Sequence, residues 1–304
     1  MGLMIAGTYH AEDPGPDTQL DGAFKRQKSM IRNWITAEGP FIPDIARYHL
    51  FAAWNCPWAH RVLLVRALKG LDLSVSYALP RRTDQGWVFD GDGDYADPVL
   101  GAAALHEAYA QVTPAYTGRI TVPLLWDRQT STAVSNESAD IVRMLARAFP
   151  GGPELCPPAL EAEIDAWNER IYRSVNNGVY RAGFARTQAA YDAAVAEVFE
   201  TLDAIEAHLA SNAWLCGDAF TEADLRLFPT LARFDVAYHF AFKCNLARLT
   251  DFPRLWRYAR TIYSMPRVAD TVRFDIYKQG YFSPSSLRNP LGIVPAGPRI
   301  DWSL

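Results

Sequence analysis

A buried strand that runs into a Cys-Pro turn and then a helix is the feature that most constrains this chain. Residues 48–54 form an apolar run that predicts the strand, and residues 59–69 carry apolar side chains at helical spacing until Gly70. Pro57 falls in the first helical turn, where proline is tolerated. Cys56 is therefore expected at a helix N-terminus, where free N–H groups and the dipole favour an anion. Its thiol should ionise more readily than that of a free cysteine and attack a sulfur.

The motif that begins at Cys56 contains no second cysteine. Ala59 occupies the position, three residues after Cys56, in which a dithiol oxidoreductase carries its second cysteine. A mixed disulfide on Cys56 must therefore be cleared by an external thiol. Two other interpretations stay open at this point: a small buried hydrophobic residue, and a metal ligand acting with His60. Two ligands are too few for a structural metal site, so we expect no metal.

Bulk properties limit the classes of protein. A length of 304 residues suggests two domains, and contents of 49% hydrophobic and 21% charged residues are typical of a globular protein. The net charge of −4 offers no basic footprint, so we expect no nucleic-acid partner. No apolar run approaches the roughly 18 residues of a membrane span, so no membrane association is expected. Four widely spaced cysteines suit free thiols in a reducing compartment, which predicts a cytoplasmic protein.

The strands that follow the Cys56 helix suggest a known arrangement. Residues 73–79 read as a second strand, and residues 120–126 read as a third that contains Pro123. Proline belongs at the start of a strand, and a cis Val122–Pro123 bond would leave the Val122 backbone facing a ligand. A hairpin turn leads into residues 132–135 and then a helix. The order β-α-β followed by β-β-α predicts a thioredoxin-like domain.

Two further features near this sheet each allow two interpretations. Glu137 and Ser138 open the helix 139–149, where they could bind a group with an ammonium and a carboxylate, or simply cap the helix. The long connection 80–115 contains Trp87, whose indole could fill a core gap or cover a site. The residues alone do not separate these alternatives.

Composition and spacing divide the chain into three segments. We expect an extended N-terminal arm over residues 1–45, a thioredoxin-like domain over 46–152, and an all-helical domain with an extended tail over 158–304. The fold class is thus α/β plus all-α, with a Pro- and Gly-rich linker at 149–153. Residues 159–175 and 189–211 have amphipathic spacing that predicts two helices. Thr221 and Asp224 have the spacing of a capping box that begins another helix, which runs through Phe234.

Three motifs of the chain resemble those of a known family. The motifs Cys-Pro-Trp-Ala-His-Arg (56–61), Thr-Val-Pro-Leu-Leu-Trp-Asp (121–127) and Ser-Asn-Glu-Ser-Ala (135–139) resemble the glutathione transferase superfamily. The branch is that of the glutathionyl-hydroquinone reductases, or xi-class transferases. Further matches lie at residues 176–180, 183–185 and 289–295, so the resemblance covers nearly the whole chain.

The resemblance implies a set of site residues. Cys56 would be the catalytic nucleophile. Tyr180 and Tyr281 would line the pocket for the aromatic half of the substrate, and one of the two would supply the proton with which the hydroquinone leaves. Glutathione would be bound by residues of the first domain: Trp87, Arg119, Val122, Pro123, Glu137 and Ser138. Near the tail, Phe282 and Ser285 depart from the family pattern of a tyrosine and a histidine.

The implied activity is the reductive release of glutathione from glutathionyl-hydroquinones. It would pass through a Cys56–glutathione mixed disulfide that a second glutathione resolves, with glutathione as co-substrate and no metal. Two alternatives remain: an omega-like thioltransferase or dehydroascorbate reductase, and a non-catalytic scaffold or carrier of aromatic ligands. The resemblance also implies a homodimer.

Overall fold

A computed structural model gives the structure of residues 2–12, 18–112, 114–286 and 288–304. The chain divides into two units, residues 1–15 with 28–153, and residues 16–27 with 154–304. The segment expected as an arm over residues 1–45 is thus divided between the two units.

The strands formed by the described residues all lie in the first unit. They are β1 (Leu3–Ile5), β2 (Thr8–His10), β3 (Tyr48–Ala52), β4 (Ser74–Tyr77), β5 (Gly118–Arg119), β6 (Leu124–Asp127) and β7 (Thr132–Ser135). Its helices are α1 (Pro57–Lys69), α2 (Leu105–Ala110) and α3 (Ser138–Ala148).

The main sheet of this unit has the strand order β4–β3–β6–β7. Strand β3 pairs parallel with β4 and antiparallel with β6, which in turn pairs antiparallel with β7. Every residue of β3 is buried, as expected for a central strand covered on both faces. Strand β6 begins directly after Pro123, because proline cannot donate to the ladder. The predicted thioredoxin-like β-α-β, β-β-α arrangement is confirmed.

Helices α1 and α3 pack against each other beside the sheet. Pro57 opens α1, and Gly70 ends it in the left-handed conformation with φ of 63°, where its N–H bonds the last carbonyls. Helix α3 begins at Ser138 after Glu137, whose side chain accepts from the Ala139 N–H. The start of α1 is therefore set by Pro57 in the first turn, and the start of α3 by the Glu137 cap.

The N-terminal residues form a second, smaller sheet that the sequence did not predict. Strand β1 lies between β2 and β5, antiparallel to both. Met4 on β1 is buried, while its neighbours are partly or fully exposed. Three-residue strands with one buried side chain leave no alternation long enough to recognise in the sequence.

The second unit is helical. Its helices are α4 (Glu161–Ile171), α5 (Gly178–Phe184), α6 (Gln188–His208), α7 (Glu222–Arg233), α8 (His239–Ala241), α9 (Pro253–Tyr263) and α10 (Phe274–Tyr281). Tyr172–Asn176 and Phe234–Tyr238 are π-helical turns that continue α4 and α7. The helix expected over residues 159–175 is thus an α-helix joined to a π-turn.

The predicted capping box of the helical unit is present. The Thr221 side chain accepts from the Ala223 N–H, and Asp224 accepts from the Thr221 N–H at 2.8 Å. Asp224 also accepts from the Leu215 N–H and the Tyr258 hydroxyl, both at 2.8 Å. Burial raises the pKa of this carboxyl, and the hydrogen bonds that it accepts oppose the rise. The box therefore ties the start of α7 to α9.

Candidate active site

Cys56 lies at the N-cap position of α1 with an extended backbone (φ −82°, ψ 119°), as the Cys-Pro turn predicts. Its side chain is 9% exposed, so the sulfur is recessed. The thiol donates a hydrogen bond to the Val122 carbonyl, with 3.3 Å between Sγ and O. The structure therefore brings together the cysteine and one of the backbone groups expected to bind glutathione.

The Val122–Pro123 peptide bond is cis, as the sequence suggested. Val122 and Pro123 precede β6 and are both buried. The preceding residue, Thr121, is held by Tyr109, whose hydroxyl donates to the Thr121 carbonyl at 2.8 Å. The backbone that faces Cys56 is thus fixed from the side of α2.

Glu137 and Ser138 lie at the start of α3, where Glu137 is the N-cap and Ser138 the first helical residue. Glu137 Oε1 accepts from the Ala139 N–H at 3.1 Å, so the capping interpretation holds for this residue. Ser138 is buried, and its hydroxyl accepts from Arg61 Nη1 at 3.4 Å. Arg61, on α1, lies over the Trp58 ring at 4.6 Å. One guanidinium thus connects the helix that begins at Cys56 with the start of α3.

Trp87 lies in the long connection and is 3% exposed. The Arg82 guanidinium lies 3.9 Å from the centre of its indole, and the Trp87 carbonyl accepts from the Leu105 N–H at 2.8 Å. The start of the connection is tied to the Cys56 turn, since Asn55 donates to the Pro80 carbonyl at 2.9 Å. The indole is therefore part of the packed loop that begins beside the cysteine.

Arg119 lies on β5, away from the main sheet. It is opposite Leu3 of β1 in the register of the small sheet, and its carbonyl accepts from the Tyr116 hydroxyl at 2.9 Å. The predicted glutathione-binding residues therefore come from the segment before β6, the start of α3, the long connection and the small sheet, each held by different contacts.

In the helical unit, Tyr180 and Tyr281 are in direct contact. Their hydroxyl oxygens are 2.8 Å apart, and the Tyr281 hydroxyl is 2.9 Å from that of Tyr238. Tyr238 is fully buried, whereas the other two are partly exposed. We call Tyr180, Tyr238 and Tyr281 the tyrosine cluster. It is a chain of three hydroxyls that runs from a buried end to an accessible one.

Burial controls the ionisation of this cluster. It raises the pKa of Tyr238 and that of Tyr281 well above the ordinary 10, and the buried Arg233 guanidinium opposes both shifts. Both hydroxyls are therefore protonated at neutral pH and able to donate. Tyr238 and Tyr281 can therefore donate hydrogen bonds toward Tyr180 while they remain uncharged.

Sequence reasoning missed Tyr238 and Arg26. Tyr238 follows Phe234, which the sequence placed near the end of a helix, but the π-helical turn continues that helix through Tyr238. Arg26 lies over the Tyr180 ring at 4.6 Å, and its Nε donates to Asn177 Oδ1 at 2.7 Å. The spacing of Tyr238 after Phe234 is only a weak local signal that both lie on one helix. Arg26 and Tyr180 are too far apart in sequence for any local pattern to predict their contact.

The remaining cysteines lie in a different environment. Cys156, Cys216 and Cys244 are free and buried in the helical unit. Burial raises the pKa of Cys216 to about 11 and that of Cys244 to about 12. These two thiols hold their protons at neutral pH and are poor nucleophiles.

The described residues contain no group of three or more His, Cys, Asp or Glu side chains that could hold a metal ion. Within the same part of the chain, no helix combines the length and the apolar character needed to cross a bilayer.

Known families match both units. The model of the glutathione S-transferase N-terminal domain matches residues 55–148, and that of the C-terminal domain matches residues 188–261. The glutathionyl-hydroquinone reductase YqjG of Escherichia coli is 44% identical, with 99% of this chain and 96% of that protein covered. The glutathionyl-hydroquinone reductase PcpF of Sphingobium chlorophenolicum is 45% identical, with 98% and 96% covered.

A solved structure agrees with these matches. The glutathione-bound structure of Escherichia coli YqjG superposes with a TM-score of 0.86 at 43% identity, covering 93% of this chain and 97% of that one. Similarity of sequence and of structure thus extends over both units. The chain belongs to the glutathionyl-hydroquinone reductase branch, the xi class, of the glutathione transferase family.

Proposed function

We propose that this chain is a glutathione-dependent reductase that removes glutathione from glutathionyl-hydroquinones. The observation that carries the proposal is a single cysteine at a helix N-terminus, in contact with the carbonyl that precedes a cis proline. Relatives at 44% and 45% identity bear the name of this activity. The co-substrate is glutathione, bound by residues of the first unit: Trp87, Arg119, Val122, Pro123, Glu137 and Ser138.

The first step is attack on sulfur. The Cys56 thiolate displaces the aromatic carbon from the glutathione sulfur, so an S–S bond forms and the S–C bond breaks. The electron pair of the broken bond goes to the ring carbon. Since an aryl carbanion is a poor leaving group, that carbon must receive a proton, which we assign to Tyr180 supported by Tyr281.

The second step restores the enzyme. A second glutathione thiolate attacks the Cys56–glutathione disulfide and leaves as oxidised glutathione, while the thiol proton of this second glutathione replaces the one given to the ring. The aromatic carbon gains two electrons, and the two glutathione sulfurs lose two. An external thiol is required because Ala59 stands where a resolving cysteine would be.

The test is turnover of the menadione–glutathione conjugate with glutathione, followed by mass spectrometry of the products. The wild type should release the hydroquinone and oxidised glutathione, and Cys56→Ser should remove turnover. Cys156→Ser is the matched control and should retain it, because that thiol is buried in the helical unit. A serine variant at position 56 that still reduces the conjugate would contradict the mechanism.

A thioltransferase of the omega type is the second candidate. Relatives from Schizosaccharomyces pombe and Saccharomyces cerevisiae, 40% and 36% identical, are named omega-like glutathione S-transferases. The same cysteine would then act on small glutathione mixed disulfides. A kcat/KM higher on such a disulfide than on the menadione conjugate would favour this candidate.

We also infer a homodimer and a cytoplasmic location. The dimer follows from the resemblance to two-domain glutathione proteins, and the location from four free thiols, which suit a reducing compartment. Native mass spectrometry at decreasing protein concentration tests the dimer, which should persist to low micromolar concentration.

A further inference from the structure

We propose that Arg26 is a positioning residue for the protonation step, acting through Tyr180. Its guanidinium lies on the face of the phenol and stabilises the phenolate that forms when Tyr180 gives its proton to the substrate ring. This inference rests on the proposed function, and it adds a residue of the N-terminal segment to the machinery of that reaction.

The contact between Arg26 and Tyr180 is direct. Arg26 Cζ is 4.6 Å from the centre of the Tyr180 ring and 5.4 Å from that of Phe24. Arg26 Nε donates to Asn177 Oδ1 at 2.7 Å, and Asn177 directly precedes α5, which carries Tyr180. A cation over a ring face is attracted by its π electrons, and that attraction grows when the ring becomes an anion.

The segment that carries Arg26 is anchored to the start of α6. The Gly22 carbonyl accepts from the Arg186 N–H at 2.9 Å, and the Asp21 carbonyl accepts from the Thr187 hydroxyl at 2.8 Å. The Phe24 ring packs against Phe184 with 5.3 Å between centroids. Contacts on both sides of Phe24 thus hold the guanidinium in place, so its position does not depend on a flexible side chain alone.

The hydroxyl chain gives the phenolate a second source of stabilisation. Once Tyr180 has lost its proton, its oxygen can only accept, so Tyr281 donates to Tyr180 and Tyr238 donates to Tyr281. The negative charge then rests at Tyr180, the residue over which Arg26 lies. The cation and the hydroxyl chain therefore support the same charge from different sides.

Other charged groups also act on Tyr180. Ionisable groups that interact with it include Tyr238, Tyr281, Arg233 at the end of α7, and Arg288 after α10. Arg288 lies 4.4 Å from the centre of the Phe184 ring, and Arg233 lies 3.6 Å from that of Tyr277. Arg26 lies over the ring of the tyrosine that would donate the proton, at 4.6 Å.

The test compares two substrates in the full-length enzyme. Reduction of the menadione–glutathione conjugate needs a proton on carbon, whereas reduction of the mixed disulfide of glutathione and 2-mercaptoethanol does not. Arg26→Met should lower kcat on the conjugate about tenfold, because the phenolate that forms loses its cation, and should leave the disulfide rate unchanged. Arg26→Lys keeps the charge and should recover most of the loss.

Arg181→Met is the matched control. Arg181 is the next residue after Tyr180, but its guanidinium pairs with Glu197, so its loss removes a nearby charge without exposing the ring. This variant should keep the wild-type ratio of the two rates.

The pH profile gives a readout that a purely structural role would not move. Turnover of the conjugate should fall at alkaline pH as Tyr180 ionises. Without the cation the phenol is harder to ionise, so Arg26→Met should shift this fall to higher pH while lowering the plateau. Should Arg26→Met fail to fold, the lysine variant must show the wild-type profile.

The outcomes separate the two proposals. If the wild type does not reduce the conjugate, the proposed function and the role of Arg26 are both wrong. If the wild type is active and Arg26→Met is equally active, only the role of Arg26 is wrong. Equal loss on both substrates, with an unchanged pH profile, would make Arg26 a structural residue and overturn the inference.

Discussion

At the scale of single residues, Glu137 caps α3 with one carboxylate oxygen, which accepts from the Ala139 N–H. In the proposed function its charge would also bind the ammonium group of glutathione. Glu137→Gln keeps a capping acceptor and removes the charge. Because a hydrogen bond to a charged group contributes about 1.5–3 kcal/mol, the KM for glutathione should rise at least about tenfold.

Asp140→Asn is the control for this substitution. Asp140 also lies in the first turn of α3, but it pairs with Arg32 at 2.6 Å. Its loss should affect thermal stability and leave the KM for glutathione near the wild-type value. Steady-state kinetics at varied glutathione concentration measure both variants, and an unchanged KM for Glu137→Gln would remove Glu137 from the binding site.

The sequence predicts the positions of some site residues and not those of others. The Cys56 turn and the Val122–Pro123 bond are local patterns, so their conformations could be predicted, and the hydrogen bond between them follows from adjacent strands of one sheet. The contact of Arg26 with Tyr180 joins residues 151 or more positions apart through docking of an irregular segment. No local pattern encodes such a contact, which depends on how the segment packs.

At the scale of elements, the β1–β2 hairpin holds the connection that carries Trp87. The Tyr9 ring stacks on His106 with 4.1 Å between centroids, and the Tyr9 hydroxyl donates to the Asp84 carbonyl. His106, on α2, also contacts Gln85 at 3.0 Å. The hairpin therefore contacts the connection on both sides of Trp87.

Tyr9→Ala should loosen this connection. An aromatic pair contributes about 1 kcal/mol, so the KM for glutathione should rise about fivefold, with faster hydrogen exchange at residues 82–90. Tyr9→Phe keeps the stack and loses the hydroxyl bond, so it should show a smaller effect. Unchanged exchange in Tyr9→Ala would mean that the hairpin does not restrain the Trp87 segment.

Elements were predictable where one pattern ran long enough. The central strand β3 and helices α1 and α6 follow from apolar runs or helical spacing, and their ends follow from Pro57, Gly70 and similar signals. The small N-terminal sheet could not be predicted, since its strands are short and mostly exposed. The π-turn after α7 was also missed, because residues 227–238 are all buried and so have no one-sided apolar pattern whose shift would reveal the extra residue.

At the scale of the whole molecule, the buried His49 makes stability depend on pH. It lies in β3, where its ring nitrogens contact the Ser74 and Ser76 hydroxyls at 2.8 and 3.0 Å. Burial lowers its pKa from 6.5 to about 4, with Arg128 adding to the shift and Asp97 opposing it. Between these values the unfolded chain binds the proton and the folded chain does not, so stability falls as pH drops from 6.5 toward 4.

The free energy of unfolding should therefore decrease by at most about 3 kcal/mol over this range from His49 alone. His49→Gln has no such proton to bind and should flatten the dependence. Denaturant unfolding at about pH 4.5 and about pH 7, with hydrogen exchange of the β3 amides, measures both proteins. The same slope in both would show that other groups are responsible.

The overall fold was largely predictable because consistent signals covered long segments. The order of strands and helices predicts the thioredoxin-like unit, and amphipathic spacing predicts that the second unit is helical. What escaped prediction is how the first 45 residues distribute between the units, since a polar segment rich in proline carries no periodic pattern.

The hydrogen bond from the Cys56 thiol to the Val122 carbonyl has a consequence for the idle enzyme. While the thiol keeps its proton and donates it to that oxygen, the sulfur is less reactive toward peroxides and other electrophiles, which react with thiolates. In the proposed function, glutathione would pair with the Val122 backbone and displace this bond, so the sulfur would become reactive when the substrate binds. The Val122 carbonyl would thus protect the Cys56 sulfur from oxidation before the substrate binds, and its release would leave the sulfur reactive afterwards.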